Sequence, residues 1–219
     1  MDTLTSRQSN RADRRSKDEI RQLNEQKILD AAEKTFAIYG FKGSTTKQIA
    51  LQAGLPKANI HYYFDTKLNL YRCVLESMLS DWMKAARTFK GFDSPDKALK
   101  YYVGAKMDLA RRRPYGSRVW ASEIMSGAPV MEEFLATTLK SWVDDCVGSI
   151  NSWIEDKKIV AIGDANTLLY MIWASTQHYA DFDRQITLLN QGKSLSDDEF
   201  EQKKQQVIDL ILRSVGLQP

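Results

Sequence analysis

The chain has 219 residues, 43% of them hydrophobic and 27% charged, and its formal net charge is +3. These proportions suit a soluble globular protein of one to two domains, and no run approaches the roughly eighteen apolar residues of a membrane span. Met1 to Lys17 lacks an apolar core, so no secretory signal is expected there and a cytoplasmic location is. Cys73 and Cys146 show no C-x-x-C spacing and read as buried thiols rather than a disulfide or metal pair.

Charge is spread unevenly. Residues 1–70 carry 12 Lys+Arg against 8 Asp+Glu, whereas residues 71–219 carry 19 against 20. Residues 1–17, with Arg7, Arg11, Arg14, Arg15 and Lys17, read as a disordered basic arm. Such an arm either lies along phosphates or a minor groove, or is a solvated tail. A first helix is expected from about Asp18 to Tyr39, on the stripe Ile20, Leu23, Ile28, Ala31, Ala32, Thr35 and Phe36. Gly40 ends it.

Residues 45–68 carry the most information. Thr45 or Thr46 suits an N-cap, and Ile49, Ala50 and Ala53 follow at helical spacing. Gly54 marks the stop, Leu55 plugs the gap, and Pro56 opens a second short helix from Lys57 to Phe64. In that helix Ile60 and Phe64 face inward, which turns Lys57, Ala58, Asn59, His61, Tyr62 and Tyr63 outward. Lysine and asparagine suit base edges, tyrosine hydroxyls suit phosphates, and alanine allows close approach to a thymine methyl. Lys67 follows at the start of the next helix, where an ammonium and helix-end amides can hold one phosphate. Pattern alone also fits a helical hairpin inside some other α-domain.

The run Gly-Phe-x-Gly-Ser-Thr-Thr…Ile-Ala…Ala-Gly-Leu-Pro-Lys…Tyr-Tyr-Phe-Asp-x-Lys over residues 40–67 resembles the DNA-binding domain of TetR-class transcriptional regulators. The resemblance implies that Thr46 and Lys47 flank the first helix start, near phosphate and base edge. It puts Lys57, Ala58, Asn59 and His61 on positions facing bases, and Tyr62, Tyr63 and Lys67 on positions clamping phosphates. Most members carry tyrosine where this chain has His61, so the base read there is left unassigned.

A fourth helix is expected from Thr66 to about Phe89. Beyond it Gly91, Ser94-Pro95, Pro114, Gly127-Ala128-Pro129 and Gly163-Asp164 bound helical segments at 95–112, 115–126, 129–157 and 164–183. A loop at 190–196 precedes a last helix from Asp197 to about Val215. The fold expected is all-α, about nine helices, with a helix-turn-helix domain at 18–65 and a larger domain at 66–219. The apolar stripe Phe200, Val207, Ile208, Ile211, Leu212 and Val215 packs either on its own bundle or on a second copy.

The larger domain holds Trp82, Trp120, Trp142, Trp153 and Trp173. On one helix Trp173 and Gln177 lie a turn apart with Thr176 beside them. An indole next to an amide suits a small planar heterocycle, though core packing explains the same residues. Residues 118–129 and 171–182 are similar to the RutR-like subgroup, whose members regulate pyrimidine use and respond to uracil or thymine. The resemblance implies a uracil or thymine effector, operator DNA as partner, a homodimer through the last two helices, and no cofactor. Trp173, Gln177 and Thr176 are the ligand candidates, with Arg118 and Glu123 as further polar ones or as a structural ion pair. A regulator of efflux or another catabolic operon, with an unrelated apolar ligand, is the alternative. An enzyme finds little support. His61 falls in the reading helix, His178 has only Asp181 near it as a metal partner, and the adjacent pairs Asp144-Asp145 and Glu132-Glu133 point apart on a helix. No nucleophile elbow, phosphate-gripping glycine loop or zinc motif occurs.

Overall fold

The computed structural model describes the backbone of residues 2–86, 92 and 94–218 and the side chains of 17–84, 92 and 94–218. The chain divides into two compact units, Met1–Leu75 and Glu76–Pro219. Among the described residues every regular element is helical, as the periodicity predicts. No described helix is long and apolar enough to cross a membrane.

The first unit holds α1 (Asp2–Gly43), α2 (Thr46–Ala53), α3 (Lys57–Phe64) and the start of α4 (Lys67–Ala86). α1 is traced from Asp2, ahead of the expected start at Asp18. The side chains of residues 1–16, and with them the reading of a basic arm, lie outside the described residues. Its apolar stripe becomes buried only at Ile28. Ala31, Ala32, Thr35 and Phe36 continue it, while Ile20 and Leu23, expected in the same stripe, are exposed. Helical period alone does not supply a partner surface, and these two positions have none. Gly40 interrupts the helical backbone at φ 69°, so the chain turns where the sequence predicts.

α2 begins with a capping box. Gln48 N–H donates to Thr45 Oγ1 at 3.2 Å, and the Thr45 N–H donates to Gln48 Oε1 at 2.8 Å. Gly54 closes it in the left-handed conformation (φ 66°, ψ 31°), with its N–H turned back on the helix carbonyls. Ile49 and Ala50 of α2, Ile60 and Phe64 of α3, and Leu70, Tyr71 and Val74 of α4 are buried with the α1 stripe. α4 contributes to this core because Thr66 caps it, its hydroxyl accepting from Asn69 N–H at 3.1 Å.

The second unit is built around α9 (Ala165–Asp181), which meets α5 (Pro95–Arg112), α6 (Pro114–Met125), α8 (Lys140–Glu155), α10 (Asp183–Leu189) and α11 (Asp197–Ser214). α7 (Glu132–Phe134) runs through a π-helical turn at Leu135–Leu139 directly into α8. Counting that rod once, the described residues hold ten helices against the nine expected; the additional one is α10. The stripe of α11 resolves one open question. Phe200, Val207, Ile208, Ile211, Leu212 and Val215 are all buried within their own bundle, with Leu169 and Ile172 of α9 and Leu99, Val103 and Met107 of α5.

Gly54→Ala tests the first unit. A Cβ there meets nothing within 4 Å, so the cost is purely that of a left-handed backbone. We expect a loss of about 1 kcal/mol in chemical denaturation; an unchanged midpoint contradicts that assignment.

Candidate functional site

α3 presents two faces. Ile60 is fully buried and Phe64 nearly so, and they anchor the helix. Lys57, Ala58, His61 and Tyr62 are exposed, Ala58 and Tyr62 on the side opposite the anchors, with Tyr62 75% accessible. Asn59 and Tyr63 flank it, half-buried. Thr46 is half-buried and Lys47 exposed at the start of α2. The residues expected to touch DNA are thus brought onto α3, the N-terminus of α2 and the start of α4.

Three of them are already engaged. Asn24 of α1 donates to the Tyr63 hydroxyl at 3.5 Å. His61 Nδ1 lies 3.0 Å from the Asp65 carbonyl. A carbonyl only accepts, so Nδ1 carries the hydrogen and a neutral ring keeps Nε2 as an acceptor. Asp65 itself sits at φ 61°, ending α3 sharply. Lys67 is more deeply committed. Its ammonium donates to the carbonyls of Phe41 (2.8 Å) and Ser44 (2.9 Å) and lies 4.4 Å from the Phe41 ring centroid. Phe41 packs on Phe36 and Tyr71, and Ser44 Oγ donates to the Gly40 carbonyl at 2.7 Å. Lys67 therefore bolts the α1–α2 connection to α4, with a third N–H remaining for a phosphate.

The second site is a partly open cavity of about 50 Å³ in the second unit. Leu79, Trp82 and Met83 of α4 form one wall, and Tyr102 and Lys106 of α5 another. Trp120 of α6, Leu139 of the π-helical turn, Trp142 of α8, and Trp173 and Gln177 of α9 complete it. Trp142 and Trp173 stack with centroids 6.2 Å apart, and Trp82 meets Trp120 edge-on at 5.5 Å. The Trp173 indole N–H donates to the Tyr102 hydroxyl at 2.9 Å. Burial pushes the Tyr102 phenol well above its usual range. The Gln177 amide makes no hydrogen bond to any described residue, so its donor and acceptor are both unspent.

Of the five ligand candidates, Trp173 and Gln177 line the cavity and the other three do not. Thr176 is fully buried in the core and returns its hydroxyl to the Ile172 carbonyl at 2.7 Å. Arg118 braces α6 to the end of α9, donating to the Ala180 carbonyl (3.2 Å) and pairing with Asp183 (3.1 Å). Glu123 is buried and accepts from the Val130 (2.6 Å) and Met131 (3.2 Å) amides, holding the turn after α6. Nor do Arg118 and Glu123 pair with each other: each is satisfied by different groups. Sequence reasoning missed Leu79, Trp82, Met83, Tyr102, Lys106, Trp120, Leu139 and Trp142 as lining residues. Lys106 did leave a signal, as a lysine set between Tyr102, Val103, Met107 and Ala110 on an apolar helix face.

Known sequences and structures fit this geometry. The family described as bacterial regulatory proteins, tetR family, matches residues 28–74, and the YcdC-like protein C-terminal region matches residues 75–218. The HTH-type transcriptional regulator RutR of Escherichia coli K12 is 39% identical over 173 residues, covering 79% of this chain and 81% of its own length. The chain belongs to the TetR family of bacterial transcriptional regulators. Solved TetR-like structures share the fold at low identity. The ketosteroid transcriptional regulator KstR2 of Mycobacterium tuberculosis aligns with a TM-score of 0.71 at 18% identity, over 87% of this chain and 94% of its own. FadR of Bacillus subtilis, solved with stearoyl-CoA, aligns at 0.63 and 18%, over 87% and 98%. These relatives are named as transcriptional regulators, not as enzymes. Among the described residues no cluster of three or more His, Cys, Asp or Glu could hold a metal.

Lys67→Met separates the two duties of that lysine. Losing two charge-assisted bonds to backbone carbonyls predicts a destabilisation of about 1.5–3 kcal/mol, read by denaturant unfolding. A variant of wild-type stability that still weakens binding to every duplex would leave phosphate contact as its sole role.

Proposed function

We propose that this TetR-family protein is a pyrimidine-responsive repressor, acting in the cytoplasm as a homodimer that reads a near-palindromic operator with two copies of α3. One observation carries the effector reading. Gln177 offers an unspent amide within an indole-walled cavity, and uracil or thymine presents the complementary carbonyls and N–H groups on a flat ring. The 39% identity to the transcriptional regulator RutR agrees with the resemblance of residues 118–129 and 171–182, which implies a pyrimidine effector.

On DNA, Lys57, Ala58, Asn59 and His61 face base edges, while Thr46, Lys47, Tyr62, Tyr63 and the remaining N–H of Lys67 position the phosphates. With Nδ1 engaged on the Asp65 carbonyl, the exposed His61 ring offers Nε2 toward a base edge. The dimer forms through α9 and α11. Beside their shared core a groove lined by Leu168, Met171, Ser175, Val207, Leu210 and Ser214 stays open, with Met171 57% and Leu210 67% exposed. These are the two helices counted as last in the sequence; the short α10 lies between them in the chain. Leu210→Asp is expected to yield monomers in analytical ultracentrifugation and to abolish operator binding. A variant that stays dimeric would move the interface elsewhere.

Response to the effector passes through α4, which supplies Leu79, Trp82 and Met83 to the cavity and Leu70, Tyr71 and Val74 to the reading unit's core. Arg113 fixes α4 to the α5–α6 corner, donating to Asp81 at 2.6 Å and to Ser77 Oγ at 3.2 Å. The decisive experiment pairs two measurements. Operator affinity should fall steeply with salt, with a log–log slope near −0.9 per phosphate neutralised. Uracil or thymine should then release the operator from wild type but not from Gln177→Ala. Release that is unchanged in the variant removes Gln177; release by neither base, but by an apolar aromatic compound, favours regulation of another catabolic or efflux operon.

A further inference from the structure

Among the described residues Lys106 is the one charged group lining the cavity described above, and its ammonium forms no hydrogen bond or ion pair with any of them. The side chain is 4% exposed and its ammonium lies 4.5 Å from the Trp82 ring centroid. Asp181 is the acid whose field reaches it, but that carboxyl accepts from Ser117 Oγ at 2.6 Å instead. Burial pushes Asp181 upward and makes it a still poorer counter-ion. A cation taken from water and left against an indole face is costly unless an anion joins it. Other polar groups of this unit show the contrast. Glu123, as deeply buried as Lys106, is occupied by two backbone amides, and even the partly exposed Arg118 is held by protein partners. Lys106 is held ready for a group the protein itself does not supply.

We propose that Lys106 selects the effector, pairing with a ring oxygen on which negative charge collects, so that the ligand class is a planar ring with an acidic N–H beside a carbonyl. This rests on the cavity being the effector site. The indole walls accept any flat ring, and Gln177 reads the edge of hydrogen-bond donors and acceptors. The lysine adds a preference for the most acidic member of a set of equal shape, because charge-assisted bonds are about twice as strong as neutral ones. Burial pulls the Lys106 ammonium down to about 7, so its charge is lost as pH rises through neutrality. The other ionisable groups facing it are Asp181 on α9 and Tyr102 on its own helix, and burial keeps the Tyr102 phenol protonated throughout that range.

The test is calorimetry on the full-length protein with uracil, 5-fluorouracil and barbiturate. The three share one flat ring; the second is more acidic than the first, and the third is an anion at neutral pH. Affinity should climb along that series, by about tenfold or more from uracil to barbiturate, and Lys106→Met should flatten it. Barbiturate affinity of the wild type should also fall as pH is raised from about 6 to about 9, a readout that needs no variant to fold. Uracil binding that depends on Gln177 but shows no gradient overturns the role of Lys106 and leaves the pyrimidine reading intact. A gradient that survives in Lys106→Met overturns it too. Binding of none of the three ends both.

Discussion

The burial of Ile60 and Phe64 determines what α3 can present. An eight-residue helix is too short to hold its shape in water by its own hydrogen bonds. It exists because two side chains one turn apart enter a core already formed by Ile28, Ala32, Phe36 and Ile49. Once they are inside, the 100° step per residue turns Ala58 and Tyr62 outward, with His61 at the edge of that face, while Lys57 is exposed at the helix start. The left-handed Gly54 and the abrupt Asp65 set where the helix begins and ends. Lys67 then locks the preceding connection by its two carbonyl bonds. The exposed surface of α3 is thus a by-product of packing on its far side.

The second unit sorts its polar groups into two populations. Thr176, Arg118 and Glu123 are consumed by the fold: a returned hydroxyl, a brace between helices, a carboxylate filled with amides. Gln177 and Lys106 are not consumed, and both line the same cavity. The half-buried Gln177 and the buried Lys106 both open on one indole-lined space, where a ligand with matching polar groups would meet them. Tyr102 and Trp173 bond to each other and so stiffen the wall that the ligand must meet.

The helix-turn-helix was legible in the sequence because every rule that builds it is local. A capping box, a left-handed glycine and an i,i+4 apolar pair all act within one turn, so Thr45, Gly54 and the span Lys57–Phe64 could be read off directly. Packing partners were less legible. Ile20 and Leu23 keep the period of α1 but have nothing to pack on, and the α11 stripe could have faced inward or toward a second copy. The cavity was least legible, since five helices and a π-helical turn contribute to it. Trp173 and Gln177 were found because they share one helix face. Thr176, adjacent in sequence, points about 100° away into the core. Lys106 was overlooked because a lysine in an apolar stripe looks like a blemish in the pattern, whereas the fold sets it in the cavity wall.

Ligand control requires more than a pocket and a reader in one chain. An effector shifts affinity for DNA only by the difference in its own affinity for the two conformations involved. In this protein α4 is the element whose side chains belong to both places: its first turns complete the core that supports α3, and its later turns form a wall of the cavity. Ligand contacts to Leu79, Trp82 and Met83 therefore act on a helix held at its other end by Leu70, Tyr71 and Val74, and at its middle by the Arg113 bonds to Ser77 and Asp81. A ligand that only filled space between the indoles would bind equally well however α4 stood. One that must also satisfy Gln177 on α9 and Lys106 on α5 can tell those positions apart, because hydrogen bonds and ion pairs weaken with misalignment far more sharply than apolar contact does. On the proposed function, that polar requirement is what would turn occupancy of the cavity into a signal.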